Sequence, residues 1–203
     1  VADMSTINPT SAQEISKKLH TMKIKSLEIP VMGGPNVAIN GGLVLMASGD
    51  KELFETHQKI FKTIANKIFF LGKSGSAHTI KLAMNMQISL LALSLSEGII
   101  LMKKAGIEPE KFLEILNSTY FGTGMSEKKA YKMIKNEYEP TFTLKNLKKD
   151  LDIITKTAKD FDAVLPITER ANKIYDDALA AGFGELDYTG VLAYIEKISR
   201  TKD

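Results

Sequence analysis

A lysine and an asparagine four residues apart, Lys81 and Asn85, stand out as a pair that could act together on a ligand. Residues at this spacing are neighbours on one face of a helix. Two glycines, Gly72 and Gly75, mark a turn just before that helix. A lone lysine near a helix start is usually a solvated cation, so the pair alone leaves a functional amine and a surface charge both open.

A second glycine pair, Gly33 and Gly34, follows Met32 at the end of a short predicted strand. Glycine lets the backbone turn sharply or come close to a ligand, because no side chain intervenes. Metal and thiol chemistry have little support elsewhere in the sequence. The chain has no cysteine, and its three histidines lie far apart without the spacing of metal ligands, so we interpret them as structural and expect no metal site.

The composition is that of a globular protein, with 44% apolar and 25% charged residues. The net charge is +3, and of the 27 basic residues only Arg170 and Arg200 are arginine. Readers of nucleic-acid sequence usually need clustered arginine, so we expect no nucleic-acid partner. The first residues lack the basic and apolar regions of a signal peptide, and a cytoplasmic location is the default expectation.

Predicted strands and helices alternate up to residue 72, which favours an α/β layer. The predicted strands are the end of one at 1–4, then 26–31, 43–48 and 67–71. Two helices are predicted in this part. The first runs from Pro9 to about residue 22, with Asn8 as a possible cap and with Ser11 and Glu14 at capping-box spacing. The second runs from a cap at Asp50 through Ala65.

The rest of the chain predicts an all-helical bundle that begins with a long helix. That helix has about 29 residues from Ala77 and ends at Gly106. It is apolar almost all round, which is typical of a core, a subunit interface or a membrane span. Asn85, Gln87 and Glu97 would be costly in a bilayer, so we expect no membrane partner. Further helices are predicted at 109–118, at 126–135 with Ser126 as its cap, at 144–161 and at 166–181, and a last one is capped by Asp187.

Five segments, in order, resemble the β-hydroxyacid dehydrogenase family, which includes 3-hydroxyisobutyrate dehydrogenases and glyoxylate or succinic semialdehyde reductases. They are DMSTINP (3–9), IPVMGG (29–34), GKSGSAHTIKLAMN (72–85), EYEPTF (137–142) and LKKDL (147–151). The resemblance covers nearly the whole chain. It implies the C-terminal portion of a Rossmann-type NAD(P)-binding domain at 1–73, then an all-helical substrate and dimerisation domain at 74–203 that begins with the long connecting helix.

The resemblance also implies roles for individual residues in an NAD- or NADP-dependent oxidation of a short 3-hydroxy acid, or reduction of the matching semialdehyde. Lys81 would be the general acid/base, and Asn85 would hold it and the substrate in position. Gly33 and Gly34, with Met32, would bind the substrate carboxylate. On the cofactor side the implied residues are Ser5, Thr6, Phe142, Lys149 and Asp150. Helix capping remains an alternative for Ser5 and Thr6, and a plain basic run for Lys149.

Some features depart from the family pattern. The GxGxxG fingerprint of the family lies upstream of the DMST segment and is not within these 203 residues. We therefore expect a truncation product that by itself neither binds the dinucleotide properly nor turns over. Met32 stands where the family usually has serine, which bears on the acid end of the substrate. Met84 stands where 6-phosphogluconate dehydrogenases carry histidine, so that related enzyme is a weaker alternative.

The sequence leaves a second class of function open, a non-catalytic oligomeric scaffold of the same fold. Retention of Lys81 favours the enzyme, and the missing nucleotide half favours the scaffold. In either case the apolar helix predicts association, because one small helical domain cannot easily cover it. We expect a homodimer or tetramer formed through residues 86–102 and the helices that follow.

Overall fold

The sheet of the protein is built around one long buried strand. The computed structural model describes residues 1–200, and in them five strands pair: β1 (Ala2–Asp3), β2 (Leu27–Glu28), β3 (Val31–Met32), β4 (Leu43–Gly49) and β5 (Ala65–Phe70). Strand β4 pairs antiparallel with β2 and β3 along one edge and parallel with β5 along the other, while β1 runs parallel to β2. The sheet is therefore mixed.

Ten α-helices are found within residues 1–200. They are α1 (Pro9–Thr21), α2 (Pro35–Ile39), α3 (Lys51–Ile64), α4 (Ser76–Lys104), α5 (Pro109–Asn117), α6 (Gly124–Lys128), α7 (Ala130–Ile134), α8 (Leu144–Asp160), α9 (Pro166–Ala178) and α10 (Val191–Arg200). Strands and helices alternate up to β5, and helices follow. This is the predicted α/β part followed by an all-helical part.

As packing units the chain divides inside two helices. The first unit comprises Val1–Asn85 and Ile153–Val164, and the second comprises Met86–Asp152 and the residues from Leu165 onward. The first boundary therefore lies within α4 and the second within α8. The functional division at residues 73 and 74 stays a prediction.

The core of the first unit lies between the sheet and α3. Alternate residues of β4 are buried there, together with apolar residues of β2, α3 and β5 and one that follows β2: Leu27, Ile29, Leu43, Leu45, Ala47, Phe54, Phe61 and Ala65. The ring of Phe54 stacks on Phe61 and Phe70 at centroid distances of 5.8 and 4.9 Å. As predicted, Asp50 caps α3, its Oδ1 accepting from the Leu53 N–H at 2.9 Å.

One local expectation for the first unit was wrong, and one element was missed. The strand at 26–31 is interrupted at Ile29 and Pro30, because proline has no N–H for the sheet ladder. Helix α2 was not anticipated. Of the two capping signals near the start of α1, Asn8 is the cap, as predicted, and its side chain accepts from the Thr10 N–H at 2.8 Å.

In the second unit the predicted single helix at 126–135 is two short helices, α6 and α7. Thr123, not Ser126, is the cap: its side chain accepts from the Ser126 N–H, and the Ser126 hydroxyl accepts from the Thr123 N–H. After α9 the chain continues through a wide turn (Leu179–Phe183) and a 3₁₀ turn (Tyr188–Gly190) into α10. Asp187 caps that 3₁₀ turn, directly before the predicted last helix.

A buried ion pair holds the segment before α10 against the loop that precedes α8. The carboxylate of Asp187 is 2% exposed and accepts from Lys129 Nζ at 2.8 Å. It also accepts from the N–H and hydroxyl of Thr141, both at 3.0 Å, and from the Thr189 hydroxyl at 2.8 Å. Lys129 Nζ further lies 4.3 Å from the centre of the Tyr188 ring.

Helix α4 is the element that carries the predicted acid/base pair. It has the predicted 29 residues, and two of its serines, Ser89 and Ser96, are fully buried. Among the described residues it is the one helix long and apolar enough to cross a membrane, a property that core helices of globular domains share. Of its most apolar stretch, 39% is buried within the chain itself.

Candidate active site

Lys81 lies near the start of α4, and its amine is directed at the double-glycine turn. Nζ donates a hydrogen bond to Met32 Sδ at 3.1 Å, in a partly buried position. Met32 directly precedes Gly33 and Gly34 in the chain. The amine is therefore held against that turn and does not extend into open solvent.

Asn85 lies one helical turn after Lys81, on the same face of α4. It is 2% exposed. A buried amide side chain so close to an amine is suited to orient that amine or a polar ligand bound to it. Both residues belong to the first unit, as does the glycine turn.

The two glycines of the turn are glycine for different reasons. Gly33 has φ +130°, a conformation that side chains disfavour, and a Cβ there would lie 2.7 Å from Leu43 Cδ2. Gly34 has an ordinary extended backbone at φ −87°, and a Cβ there would meet nothing within 4 Å. Gly33 is thus required by its own backbone, whereas Gly34 is the N-cap of the short helix α2 and borders open space.

Ser5 and Thr6 follow the carboxyl end of β1. The Ser5 N–H donates to Asp3 Oδ1 at 2.9 Å. Because Asn8 caps α1, helix capping does not account for either residue. In open α/β sheets, ligands bind beyond the carboxyl ends of strands, which is where these two side chains lie.

The remaining predicted residues belong to the second unit. Lys149 Nζ forms an ion pair with Asp150 Oδ1 at 2.9 Å; the lysine side chain is 56% exposed and the aspartate side chain 2%. The half-buried Phe142 has its ring centre 6.2 Å from that of Tyr188, and its carbonyl accepts from the Tyr188 N–H at 2.9 Å. The expected pairing of Lys149 with Asp150 is thus present.

Sequence reasoning missed a buried carboxylate at the start of α4. Glu28, in β2, is 5% exposed and accepts hydrogen bonds from Ser48 and Ser74 and from the N–H of Gly75. The available signal was the acidic residue itself, inside the otherwise apolar run Leu27 to Val31. Buried charges are kept only where they are paired or hydrogen-bonded.

His78, in the first turns of α4, is buried beside two carboxylates. Its Nε2 lies 3.9 Å from Asp3 Oδ2 and 4.0 Å from Glu28 Oε2. Burial lowers the pKa of His78 below its ordinary 6.5, outweighing the attraction of Glu28 and Asp3, which acts in the opposite direction. The ring is therefore neutral at physiological pH, consistent with a structural role.

Two family sequence models together match most of the chain. Residues 75–195 match the NAD-binding domain of NADP-dependent 3-hydroxyisobutyrate dehydrogenase. Residues 1–72 match the NAD-binding domain of 6-phosphogluconate dehydrogenase. The boundary between the two matches falls at the turn that contains Gly72 and Gly75, just before α4.

Individual relatives include both enzymes and a nuclear protein. Glyoxylate/succinic semialdehyde reductase 1 of Arabidopsis thaliana is 30% identical over 98% of this chain and 68% of its own length. The cytokine-like nuclear factor N-PAC of Aedes aegypti is 29% identical over 93% of this chain. The chain spans only 34% of the length of that relative.

A solved structure supports the same relationship. The crystal structure of 3-hydroxyisobutyrate dehydrogenase from Salmonella typhimurium superposes with a TM-score of 0.88 at 25% identity, over 96% of this chain and 68% of that one. The mixed sheet with its helices is thus part of a Rossmann-type domain, followed by the helical part. The chain belongs to the β-hydroxyacid dehydrogenase family.

Proposed function

We propose that the protein is an NAD(P)-dependent oxidoreductase that interconverts a short 3-hydroxy acid and its semialdehyde. The observation that carries this proposal is the 3.1 Å contact between Lys81 Nζ and Met32 Sδ, which holds the amine beside the glycine turn. Names of relatives support the substrate class, since they include a glyoxylate/succinic semialdehyde reductase and a 3-hydroxyisobutyrate dehydrogenase.

The cofactor of the proposed reaction is NAD or NADP. Ser5 and Thr6, beyond the carboxyl end of β1, fit the nicotinamide side of such a cofactor, because capping leaves them unexplained. Phe142 and Lys149 of the second unit, the latter paired with Asp150, are further residues proposed for cofactor binding. When bound, the nicotinamide supplies or accepts the hydride.

The proton of the reaction is assigned to Lys81. In oxidation its neutral amine accepts the proton of the substrate hydroxyl, and in reduction its ammonium returns a proton to the carbonyl oxygen. Asn85, buried one turn on, keeps the amine and the substrate oxygen aligned. The backbone at Gly33 and Gly34 binds the substrate carboxylate, and Met32 replaces a hydroxyl there with an apolar thioether.

A non-catalytic scaffold is the second candidate. The observation that favours it is the similarity to N-PAC, whose name is that of a nuclear factor and of whose length the chain spans a third. In such a scaffold Lys81 would be dispensable. Turnover by the unaltered full-length gene product separates the two candidates directly.

We propose in addition that the protein forms a homodimer or tetramer through α4 and the helices after it. Within the second unit, Leu90 and Leu93 of α4 and Ile167 and Ile174 of α9 line an open groove of about 430 Å³. Leu101 is 63% exposed on the same helix. Burying such surface against a second copy is favourable by about 25 cal/mol per Å². Sedimentation velocity at micromolar concentration is expected to show a dimer or larger, and a monomer would contradict the proposal.

The glycine turn gives the test of the proposed function. In the full-length gene product, Gly34→Ala is expected to raise KM for the short 3-hydroxy acid about tenfold. The added methyl group occupies the open space beside the turn and keeps the carboxylate from the backbone N–H, a loss of about one hydrogen bond to a charged group. The melting temperature should fall only slightly: the backbone there is extended and a Cβ meets nothing within 4 Å, while alanine is a poorer N-cap than glycine for the five-residue helix α2. Steady-state kinetics followed by nicotinamide absorbance, together with thermal unfolding, measure both quantities.

Two controls accompany this variant. Gly33→Ala should lower stability whether or not ligand is bound, because of its positive φ and its 2.7 Å approach to Leu43. An alcohol that lacks the carboxylate should be turned over equally by the unaltered protein and by Gly34→Ala. An unchanged KM in Gly34→Ala would contradict the proposal that the substrate carboxylate binds at this turn. Absence of turnover with any short 3-hydroxy acid or semialdehyde, using either cofactor, would overturn the proposed function.

A further inference from the structure

The buried carboxylate of Glu28 is bonded to the start of the helix that carries Lys81. The Gly75 N–H donates to Oε1 at 3.0 Å and to Oε2 at 2.8 Å. The Ser48 hydroxyl donates to Oε2 at 2.7 Å, and the Ser74 hydroxyl donates to Oε1. Ser48 Oγ in turn accepts from the Ala77 N–H at 3.2 Å.

This arrangement satisfies groups that a helix start leaves open. The first N–H groups of a helix have no acceptor within the helix and carry a partial positive charge. Glu28 accepts a hydrogen bond from the Gly75 N–H directly. The Ala77 N–H donates to Ser48 Oγ, and the Ser48 hydroxyl in turn donates to Glu28. The hydrogen-bond partners named here, Ser48, Ser74 and the Gly75 N–H, all donate to the carboxylate.

The other charged and titratable groups that face Glu28 are Asp3 of β1 and His78 of α4. His78 is neutral, as its lowered pKa indicates. The negative charge at the start of α4 is therefore supplied by carboxylates, with Glu28 the one hydrogen-bonded to the helix.

Lys81 follows Ser76 by five residues, or about 8 Å along the helix axis. A rotation or slide of the first turn of α4 would thus move Nζ away from Met32. A carboxylate at the helix start also offsets the positive potential of that end, which would otherwise favour the neutral amine. Glu28 acts on Lys81 through position and through charge.

We propose that Glu28 is a positioning residue for the acid/base lysine: its carboxylate fixes the first turn of α4 to strands β2 and β4 and sets the pH range in which Lys81 transfers a proton. Ser48 and Ser74 hold the carboxylate in the orientation that binds Gly75. This inference rests on the proposed function.

The decisive variant is Glu28→Gln in the full-length gene product, which keeps the shape and removes the charge. We expect kcat for the short 3-hydroxy acid to fall about tenfold with KM nearly unchanged, because the loss of an anchor misplaces the amine. The pH at which the acidic limb of kcat/KM reaches half its maximum should move to lower pH by about half a unit, since an anion that favours the ammonium is gone.

Two further variants separate charge from anchoring. Glu28→Asp retains the charge with a shorter reach, so kcat should fall while the acidic limb keeps its position. Ser48→Ala removes one donor and the link to Ala77, and it too should leave the limb in place. Hydrogen exchange at the Gly75 amide should be faster in Glu28→Gln than in the unaltered protein.

The outcomes distinguish failure of the proposed enzymatic function from failure of the proposed role of Glu28. If the unaltered protein shows no turnover, the proposed function fails and this inference fails with it. If the unaltered protein is active and the acidic limb is the same in Glu28→Gln, Glu28 is only structural and the inference alone is overturned. Should Glu28→Gln not fold, an unchanged kcat in Glu28→Asp would overturn the inference.

Discussion

Replacing Lys81 by methionine in the full-length gene product is expected to lower kcat by about 100- to 10,000-fold, the usual contribution of a positioned acid/base group. Methionine preserves an unbranched, flexible side chain but has no proton to exchange. Because Lys81 is partly buried against Met32, an apolar end should be accommodated without loss of stability. Steady-state and single-turnover kinetics measure the loss, and thermal unfolding checks the fold.

Two matched substitutions sharpen this test. Lys81→Arg retains the cation but cannot lose a proton at accessible pH, so it should be nearly as inactive as Lys81→Met. Lys51→Met removes an exposed lysine of the same unit, 72% exposed and 3.7 Å from Glu55, and should leave kcat unchanged. Turnover by Lys81→Met within a few-fold of the unaltered protein would favour the scaffold over the enzyme.

Breaking the buried ion pair of the second unit should have the largest effect on stability. Lys129→Met leaves the Asp187 carboxylate buried without its cation, which typically costs about 3–5 kcal/mol. The free energy of unfolding, measured by urea denaturation at neutral pH, should fall by that amount. Lys145→Met is the control, because its pair with Glu185 is exposed and such pairs contribute about 0–1 kcal/mol.

The same pair predicts how stability depends on pH. Burial alone would raise the pKa of Asp187, but hydrogen bonds from Lys129, Thr141 and Thr189 outweigh it and lower the pKa below its ordinary 3.8. The unfolded chain then binds the proton more readily, so this contribution is complete above pH 3.8 and is lost as pH falls through the folded pKa. The difference between Lys129→Met and the unaltered protein should therefore shrink in acid. An equal difference at neutral and strongly acidic pH would contradict this assignment.

Local signals in the sequence were sufficient where one residue decides the structure. Asp50 capped its helix as expected, and the long helix has its predicted length, because caps and unbroken apolar patterns act within a few residues. The predicted helix at 126–135 was wrong because its interruption at Lys129 coincides with a contact to Asp187, 58 residues away in sequence. No local pattern contains that partner.

The residues of the candidate site also divide into those that short motifs identify and those whose role depends on residues distant in sequence. Lys81, Asn85 and the glycine turn could be proposed from short motifs, and the structure brings Lys81 to Met32. Glu28 was missed because its meaning depends on the two serines and the Gly75 amide that converge on it from 20 to 47 positions away. Its acidic character within an apolar strand was visible, but the partners that make it useful were not.

The contrast between the two glycines of the turn has an evolutionary consequence. Descendants that abandon catalysis should still tend to retain Gly33, since its positive φ strains any other residue whether or not a ligand binds. Gly34 has an extended backbone and open space beside it, and other good N-cap residues such as serine or aspartate fit there, so it can be replaced once no ligand is selected for. Across diverging copies of this gene, the second glycine should therefore disappear together with the chemistry, while the first persists.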